Sequence, residues 1–496
     1  MSLSQRAAKG MIWAYSAYMS GRLMTLLSTA ILARLLLPDA FGLIGFALII
    51  LNFVEVVRSF GINDALIYHD EERDLTADTA FWINLAVGVL QYGLLFAAAP
   101  LLAQLFGNAA LTEIVRVMGL AFILEGLGQA QAALLQKDLR FRKRFLPDLI
   151  AAVVKGIATV LMAFLGFGVW SLVYGHLVGI GVRVAALWQL SAWRPRFRFA
   201  WARARALWQY GVHILLFNLL AVALDQADQL VIGLILGATQ LGYFTIAYKI
   251  PELLMANFSL ILTRILFPVF ARLKDDRAAL TRSFLATTQY TAFVTFGVGF
   301  TLFMVAPQLV TFVYGDQWAN AVPLFQVLSL LGIAYTIPWA AGDAVKAIGR
   351  PDLQTKLLLV ESLYTFPLIW LLGASTGIAA AASFGNLIAS LIAAAVRLLV
   401  IARLLQFSPK VFVGLFRAPL AASVGLLLGL SLWQQIAAPL PLLLNLSGAG
   451  LVALSIYMVI LFLMARQPIR EAWAVGMSLV RRRRAETALE TDTPSV

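Results

Sequence analysis

Apolar runs longer than the ~20 residues needed to cross a bilayer recur from residue 11 to residue 464, and they leave few folds open to this chain. Hydrophobic residues make up 61% of the sequence and charged residues 13%, against roughly 45–50% and 25% in soluble globular chains. That composition excludes a string of soluble domains. Backbone groups in hydrocarbon must bond within the protein, and the runs lack the alternating pattern of a barrel, so the spans are helices. The expected fold class is an all-α polytopic membrane protein. The opening MSLSQRAAKG has no apolar core followed by a small-residue cleavage site, so the first span is expected to be retained.

Marking each run and its break predicts fourteen spans between residues 10 and 465. The charge of the connections tests that count. KDLRFRKR after span four and WRPRFRFAWARAR after span six each carry five basic residues, and ARLKDDRAALTR after span eight carries four. KAIGRPDLQTK follows span ten, and Arg403, Lys410 and Arg417 follow span twelve. The intervening connections, GNAAL, GFG, GATQ, GDQWAN, GAST and residues 436–442, contain no Lys or Arg. Excess Lys and Arg hold loops on the cytoplasmic side, so both termini are expected there. The formal charge of +13 is read in the same way, with no nucleic acid partner. The RRRR run at 481–484 is expected at the inner leaflet, ahead of a disordered acidic tail.

One pattern is written twice. Residues 32–47, LARLLLPDAFGLIGFA, join spans one and two, and residues 232–247, IGLILGATQLGYFTIA, join spans seven and eight, with Gly42 and Ala47 aligned on Gly242 and Ala247. Each copy opens a block of six spans. Six is even, so the blocks enter the membrane in the same direction, as parallel repeats around a pseudo-twofold along the membrane normal. The expected organisation is an N-lobe at 1–191, a basic cytoplasmic linker at 192–206, a C-lobe at 207–404, two extra helices within 405–466 and a cytoplasmic tail at 467–496.

Seven phrases then fall in order along the chain: ILARLLLPDAFGLIGFALII, LLQKDLRFRKR, GFGVWSLVYG, DQLVIGLILGATQLGYFTIAYKI, ILFPVFARLKDD, YGDQWANAVPLFQVLSLLGI and IGRPDL. Together they resemble the MOP flippase superfamily, in its Wzx-type, colanic-acid-exporter-like branch of polysaccharide transporters. The resemblance implies a two-lobed, alternating-access flippase in a bacterial inner membrane. Its substrate would be an oligosaccharide on undecaprenyl pyrophosphate, moved from the cytoplasmic to the periplasmic leaflet for surface polysaccharide assembly. Membrane lipids, a polysaccharide polymerase and assembly proteins would be its partners. One departure is Gln229, where relatives often carry a basic residue after the aspartate matching Asp228.

Moving a pyrophosphate through hydrocarbon requires cationic groups inside spans, where each ionised side chain costs at least ~2.5–3.5 kcal/mol on insertion scales. The substrate-binding candidates are Arg22, Lys155, Lys249 and Arg183. Arg22 lies near the middle of span one, has no acid within four positions and corresponds to Val222 in the second repeat. It is expected either to contact phosphate or to pair with an acid such as Glu361. Two structural ion pairs compete with substrate binding: Asp228 with Lys249, at similar depth about one hairpin, and Glu125 with Lys155 across spans four and five. Glu55, Arg58, Arg183, Arg264 and Arg397 lie near cytoplasmic ends and can snorkel to the interface. Arg34, one turn before Pro38, reads equally as an interfacial anchor.

Asp225 and Asp228 are the candidates for sodium or proton coupling. No other cofactor is expected. The chain has no cysteine, and His69, His176 and His213 show no metal-ligand spacing. Trp82, Trp193, Trp201 and Trp208 cluster at span ends, as in an interfacial belt. No HExxH, GxSxG or GxxxxGK[ST] motif is present, so no catalytic residue is assigned. Three alternatives stay open: an ion-coupled drug antiporter of the same superfamily, the peptidoglycan precursor flippase, and a polytopic polymerase or ligase. The last would carry a large outer loop that this sequence lacks.

Overall fold

The computed structural model describes residues 3–58, 66, 73–138, 140–201, 218–256, 266–468 and 470, leaving out the side chains of residues 3–17, 57, 58, 141 and 256. Among the described residues the secondary structure is helical throughout. Eleven helical stretches there are long and apolar enough to cross a membrane. The surface is apolar where a soluble protein would be polar. Leu101, Leu161, Leu363 and Leu428 are exposed, while Thr79, Gln131, Thr288 and Ser329 are buried. Such an exterior is stable only in hydrocarbon.

The helices in chain order are α1 (Leu3–Leu35), α2 (Pro38–Arg58), α3 (Arg73–Leu105), α4 (Leu111–Gly126), α5 (Gln129–Lys137), α6 (Phe141–Phe164) and α7 (Val169–Leu190). Then come α8 (Ala227–Ala247), α9 (Arg277–Tyr314), α10 (Val322–Thr336), α11 (Trp339–Ala347), α12 (Pro351–Thr376), α13 (Ala379–Leu405), α14 (Val411–Ile436) and α15 (Leu442–Met464). The segment from Ser191 to Ala200, the first part of the expected linker, has no regular structure.

Local sequence explains the breaks. Pro38 starts α2 in the position where a missing N–H costs nothing, and Asp39 in the first turn meets the positive end of the helix. In the second copy the hairpin bends at Gly237, whose φ of 80° and ψ of −174° lie inside α8. That backbone is open to glycine and closed to other residues. The expected fourth span is two helices, α4 and α5, separated at Leu127–Gly128. Trp188 of α7 donates to the Leu127 carbonyl there, at 2.8 Å, satisfying an acceptor near the helix break. The expected tenth span breaks at Ile337–Pro338, between α10 and α11, where proline cannot supply the helical N–H. The two interrupted spans match in proportion, 16 and 9 residues against 15 and 9.

The chain forms two compact units. The first comprises Met1–Leu253, Val310–Leu331 and Pro351–Ala393. Within it α2 crosses α8 with backbones in contact. A β-carbon on Gly42 would overlap the carbonyl of Ala238, and one on Gly242 would overlap the carbonyl of Pro38. Beside this crossing Thr239 donates a hydrogen bond to Asp39. Trp318 is fully buried, donates to the Ala33 carbonyl at 2.7 Å and packs edge-on against Phe41.

The second unit comprises Leu254–Leu309, Gly332–Arg350 and Ala394–Val496. It holds the last two helices, α14 and α15, against α9. Tyr457 donates to the Phe293 carbonyl at 2.8 Å, and Gln434 donates to the Met304 carbonyl at 2.9 Å. Asn445 ties the turn between α14 and α15 by donating to the Ala437 carbonyl at 3.1 Å and accepting from the Trp433 indole.

Candidate functional site

The first unit gathers basic side chains from separate helices. Arg22 of α1 sets Nη1 3.3 Å from Glu252 Oε1. Its Nε donates to the hydroxyl of Tyr18, one turn earlier, at 3.1 Å, with the guanidinium carbon 5.4 Å from that ring. A guanidinium carries five N–H groups, so these contacts leave others for a ligand. Lys249 lies in the short helical stretch Lys249–Pro251, three residues before Glu252, and interacts electrostatically with both Glu252 and Arg22. Lys155 of α6 lies within electrostatic reach of Lys249, and His176 of α7 within reach of Lys155. Neither ammonium group makes a hydrogen bond with a described residue. Arg22, Lys155 and Lys249 outnumber the acids beside them, Glu252 and Asp225, so like charges repel and the arrangement favours an anion.

The two expected ion pairs do not form among the described residues. Asp228 at the start of α8 and Lys249 beyond its end meet different partners. Asp228 is 3% exposed and meets Asn386 and Ser383 of α13, whereas Lys249 turns to Glu252 and Arg22. Lys155 likewise meets Lys249 and His176 rather than Glu125. Glu125 sits in the last turn of α4, where its carbonyl accepts from Gly128 at 2.9 Å across the helix break. Span numbering fixed height along each helix and could not fix rotation about it. Arg22 also takes Glu252, not Glu361, as its acid.

Arg183 stands apart from this cluster. It pairs with Asp148 of α6 at 2.8 Å, and Asp148 also binds Arg144 at 3.1 Å. That trio occupies the basic-loop end of α6 and α7. Arg34 is an anchor: its Nη2 donates to the Phe312 carbonyl at 2.5 Å and its Nε to the Val313 carbonyl at 3.5 Å. A cation at the C-terminal turn of α9 meets the negative end of that helix. Trp82 donates to the Arg196 carbonyl at 2.9 Å and stacks on the exposed ring of Phe197. Arg264, Trp208, His69, His213 and the side chain of Arg58 lie outside the described residues.

The two coupling candidates have different surroundings. Asp225 is exposed and lies within electrostatic reach of Glu252, another acid. Asp228 is buried, and its Oδ1 has no hydrogen-bond partner among the described residues. No group of three or more His, Cys, Asp or Glu side chains there could hold a metal ion.

The sequence reading missed Glu252, the acid that organises the cluster. It was available as an acid three residues after an intramembrane lysine, with Pro251 between them. Tyr18, one turn before Arg22, was equally visible.

An apolar helical exterior around a half-buried line of cations defines a multi-pass membrane protein with an anion-attracting interior. The family profile described as "Polysaccharide biosynthesis protein" matches residues 31–323. This chain belongs to that family. Over 379 residues it is 25% identical to the lipopolysaccharide biosynthesis protein WzxC of Escherichia coli, covering 76% of this chain and 77% of WzxC. It is 29% identical over 300 residues to the succinoglycan biosynthesis transport protein ExoT of Rhizobium meliloti, covering 60% and 61% of the two chains. The fold matches the lipid II flippase MurJ in an inward closed conformation with a TM-score of 0.74 at 14% identity, over 92% of this chain and 100% of MurJ. It also matches an inward-facing MATE multidrug transporter of the MOP superfamily, with a TM-score of 0.65 at 15% identity, over 78% and 94% of the chains.

Proposed function

We propose that this protein is a flippase, not an enzyme, which moves an oligosaccharide linked to undecaprenyl pyrophosphate from the cytoplasmic to the periplasmic leaflet of a bacterial inner membrane for surface polysaccharide synthesis. The observation that carries this reading is the alignment of Lys155, Lys249 and Arg22 without a full set of internal counter-ions. Such a site recognises a compact polyanion, and a pyrophosphate offers several charged oxygens to a guanidinium and two ammonium groups. The family membership and the names of WzxC and ExoT support a polysaccharide pathway. A drug antiporter shares the fold, but a cationic site suits it poorly when its solutes are cations.

In this reading the chain crosses the membrane fourteen times with both termini cytoplasmic, as two six-helix repeats plus α14 and α15. The matched interruptions at α4–α5 and α10–α11 support the repeat. Lys155, Lys249 and Arg22 bind phosphate, and Arg183 serves the cytoplasmic interface through Asp148. Asp228 is the stronger coupling candidate. A buried carboxylate without a cationic partner is stable only with a proton or a metal ion such as sodium. A polymerase and assembly proteins would receive the product.

The test is a deletion strain of the source organism, with no substitute flippase. Loss of surface polysaccharide and accumulation of lipid-linked repeat units on the cytoplasmic leaflet are expected. Unaltered polysaccharide without accumulation would sink the reading.

A further inference from the structure

We propose that Glu252 is a built-in stand-in for the substrate's pyrophosphate: it holds Arg22 in the empty site and releases it to the phosphate oxygens when the lipid arrives. This rests on the flippase reading and names the residue that sets how tightly the site holds its substrate.

The Arg22–Glu252 contact is made for exchange. Its approach is 3.3 Å between Nη1 and Oε1, with the side chains 39% and 21% exposed. A partly exposed pair at that distance is held more loosely than a short, fully desolvated one and is open to exchange with another anion. A pyrophosphate can engage two guanidinium N–H groups at once, which a stronger, directional contact rewards. Arg22 keeps its bond to Tyr18 during the exchange, because that bond uses Nε.

The backbone at Glu252 differs from an ordinary helix. Pro251 ends the short helical stretch, and Glu252 is the first residue of a π-helical turn, Glu252–Ala256. Turns of that type bond from i to i+5 and recur at functional positions inside otherwise regular helices. Lys249, three residues upstream, lies on the same face and also interacts with Glu252. Withdrawal of this one carboxylate therefore uncovers two cations together. Glu252 also lies within electrostatic reach of Asp225. Once the cations are occupied by phosphate, the two carboxylates repel and Glu252 is driven outward. When the phosphate leaves, Glu252 returns, and its competition speeds release.

The test uses the purified full-length protein in lipid nanodiscs, with undecaprenyl pyrophosphate as the probe. Glu252→Gln keeps the shape and removes the charge. It is expected to bind the probe about two- to fivefold tighter. Turnover of lipid-linked oligosaccharide in proteoliposomes falls by about the same factor. Glu252→Asp, which retains the charge, stays near the wild-type affinity. In an Arg22→Ala background the gain from Glu252→Gln disappears, as a double-mutant cycle requires of a direct competitor. Equal or weaker binding by a folded Glu252→Gln protein, or a gain that persists without Arg22, overturns the proposal while leaving the flippase reading intact. Failure of the wild-type protein to bind the probe overturns both.

Discussion

Gly42 of α2 lies directly against the carbonyl of Ala238, at the bend of α8, and Gly242 lies in the same way against the carbonyl of Pro38. The numbers differ by 200 in each case, so the contact is reciprocal: what residue 42 does to 238, residue 242 does to 38. Interfaces with that property are produced by a twofold axis. The hydrogen bond from Thr239 to Asp39 connects equivalent positions of the two copies. The sequence echo that opens each repeat is thus also a place where the repeats touch.

A side chain at either glycine must push two helices apart. Gly42→Val or Gly242→Val is expected to cost about 1–3 kcal/mol, the usual penalty for overpacking. Gly93→Val is the control, since nothing lies within 4 Å of a β-carbon there. Thermal unfolding of the purified proteins in one detergent should separate the two glycines from the control.

Lys155 and Lys249 yield a prediction with opposite signs for stability and function. Because the two ammonium groups lie within electrostatic reach and repel, Lys155→Met should raise the unfolding temperature of the empty protein. The same change should weaken undecaprenyl pyrophosphate binding about tenfold or more, a charge-assisted hydrogen bond being worth about 1.5–3 kcal/mol. Unfolding curves with and without the lipid measure both effects.

For Arg22 and Arg34 the expected outcomes separate binding from anchoring. Arg22→Ala should insert normally and lose export, with Arg22→Lys recovering part of it. Arg34→Ala removes the contacts to the Phe312 and Val313 carbonyls and should lower stability by about 1 kcal/mol, with probe affinity unchanged. Probe affinity and unfolding temperature, measured on the same preparations, distinguish the two.

Asp228→Asn tests ion coupling. Its neutral amide removes the need for a proton or sodium ion beside Asn386 and Ser383. Transport by the variant in proteoliposomes should lose its dependence on the pH or sodium gradient. Full dependence in Asp228→Asn and loss in Asp225→Asn would transfer the role to Asp225.

The all-helical membrane class was legible because hydropathy is a one-dimensional signal. Each apolar run reads the same whatever packs around it, and Pro38, Gly128, Gly237 and Pro338 mark breaks in the letters themselves. The residue types at the site were legible for the same reason, since Arg22, Lys155 and Lys249 are costly inside a span wherever they point. Their partners were not. Asp228 lies before the bend at Gly237 and Lys249 beyond the end of α8, and the winding of each arm sends the first to α13 and the second toward Arg22 and Glu252. A proline just before a π-helical turn sets the rotation at Glu252, and that local winding has no separate signature in hydropathy.

The crossing of α2 and α8 has a further consequence for change over time. In a dimer of identical chains, one mutation alters both halves of a twofold contact at once. Here the two halves are written at separate addresses, so each can drift alone. A β-carbon at 42 meets the backbone of Ala238, and one at 242 meets the backbone of Pro38 and the amide nitrogen of Gly42, so a side-chain exchange across the crossing relieves neither. Related sequences that keep this crossing should therefore keep glycine at both addresses, and loss of either glycine should come with a change in how the two helices cross.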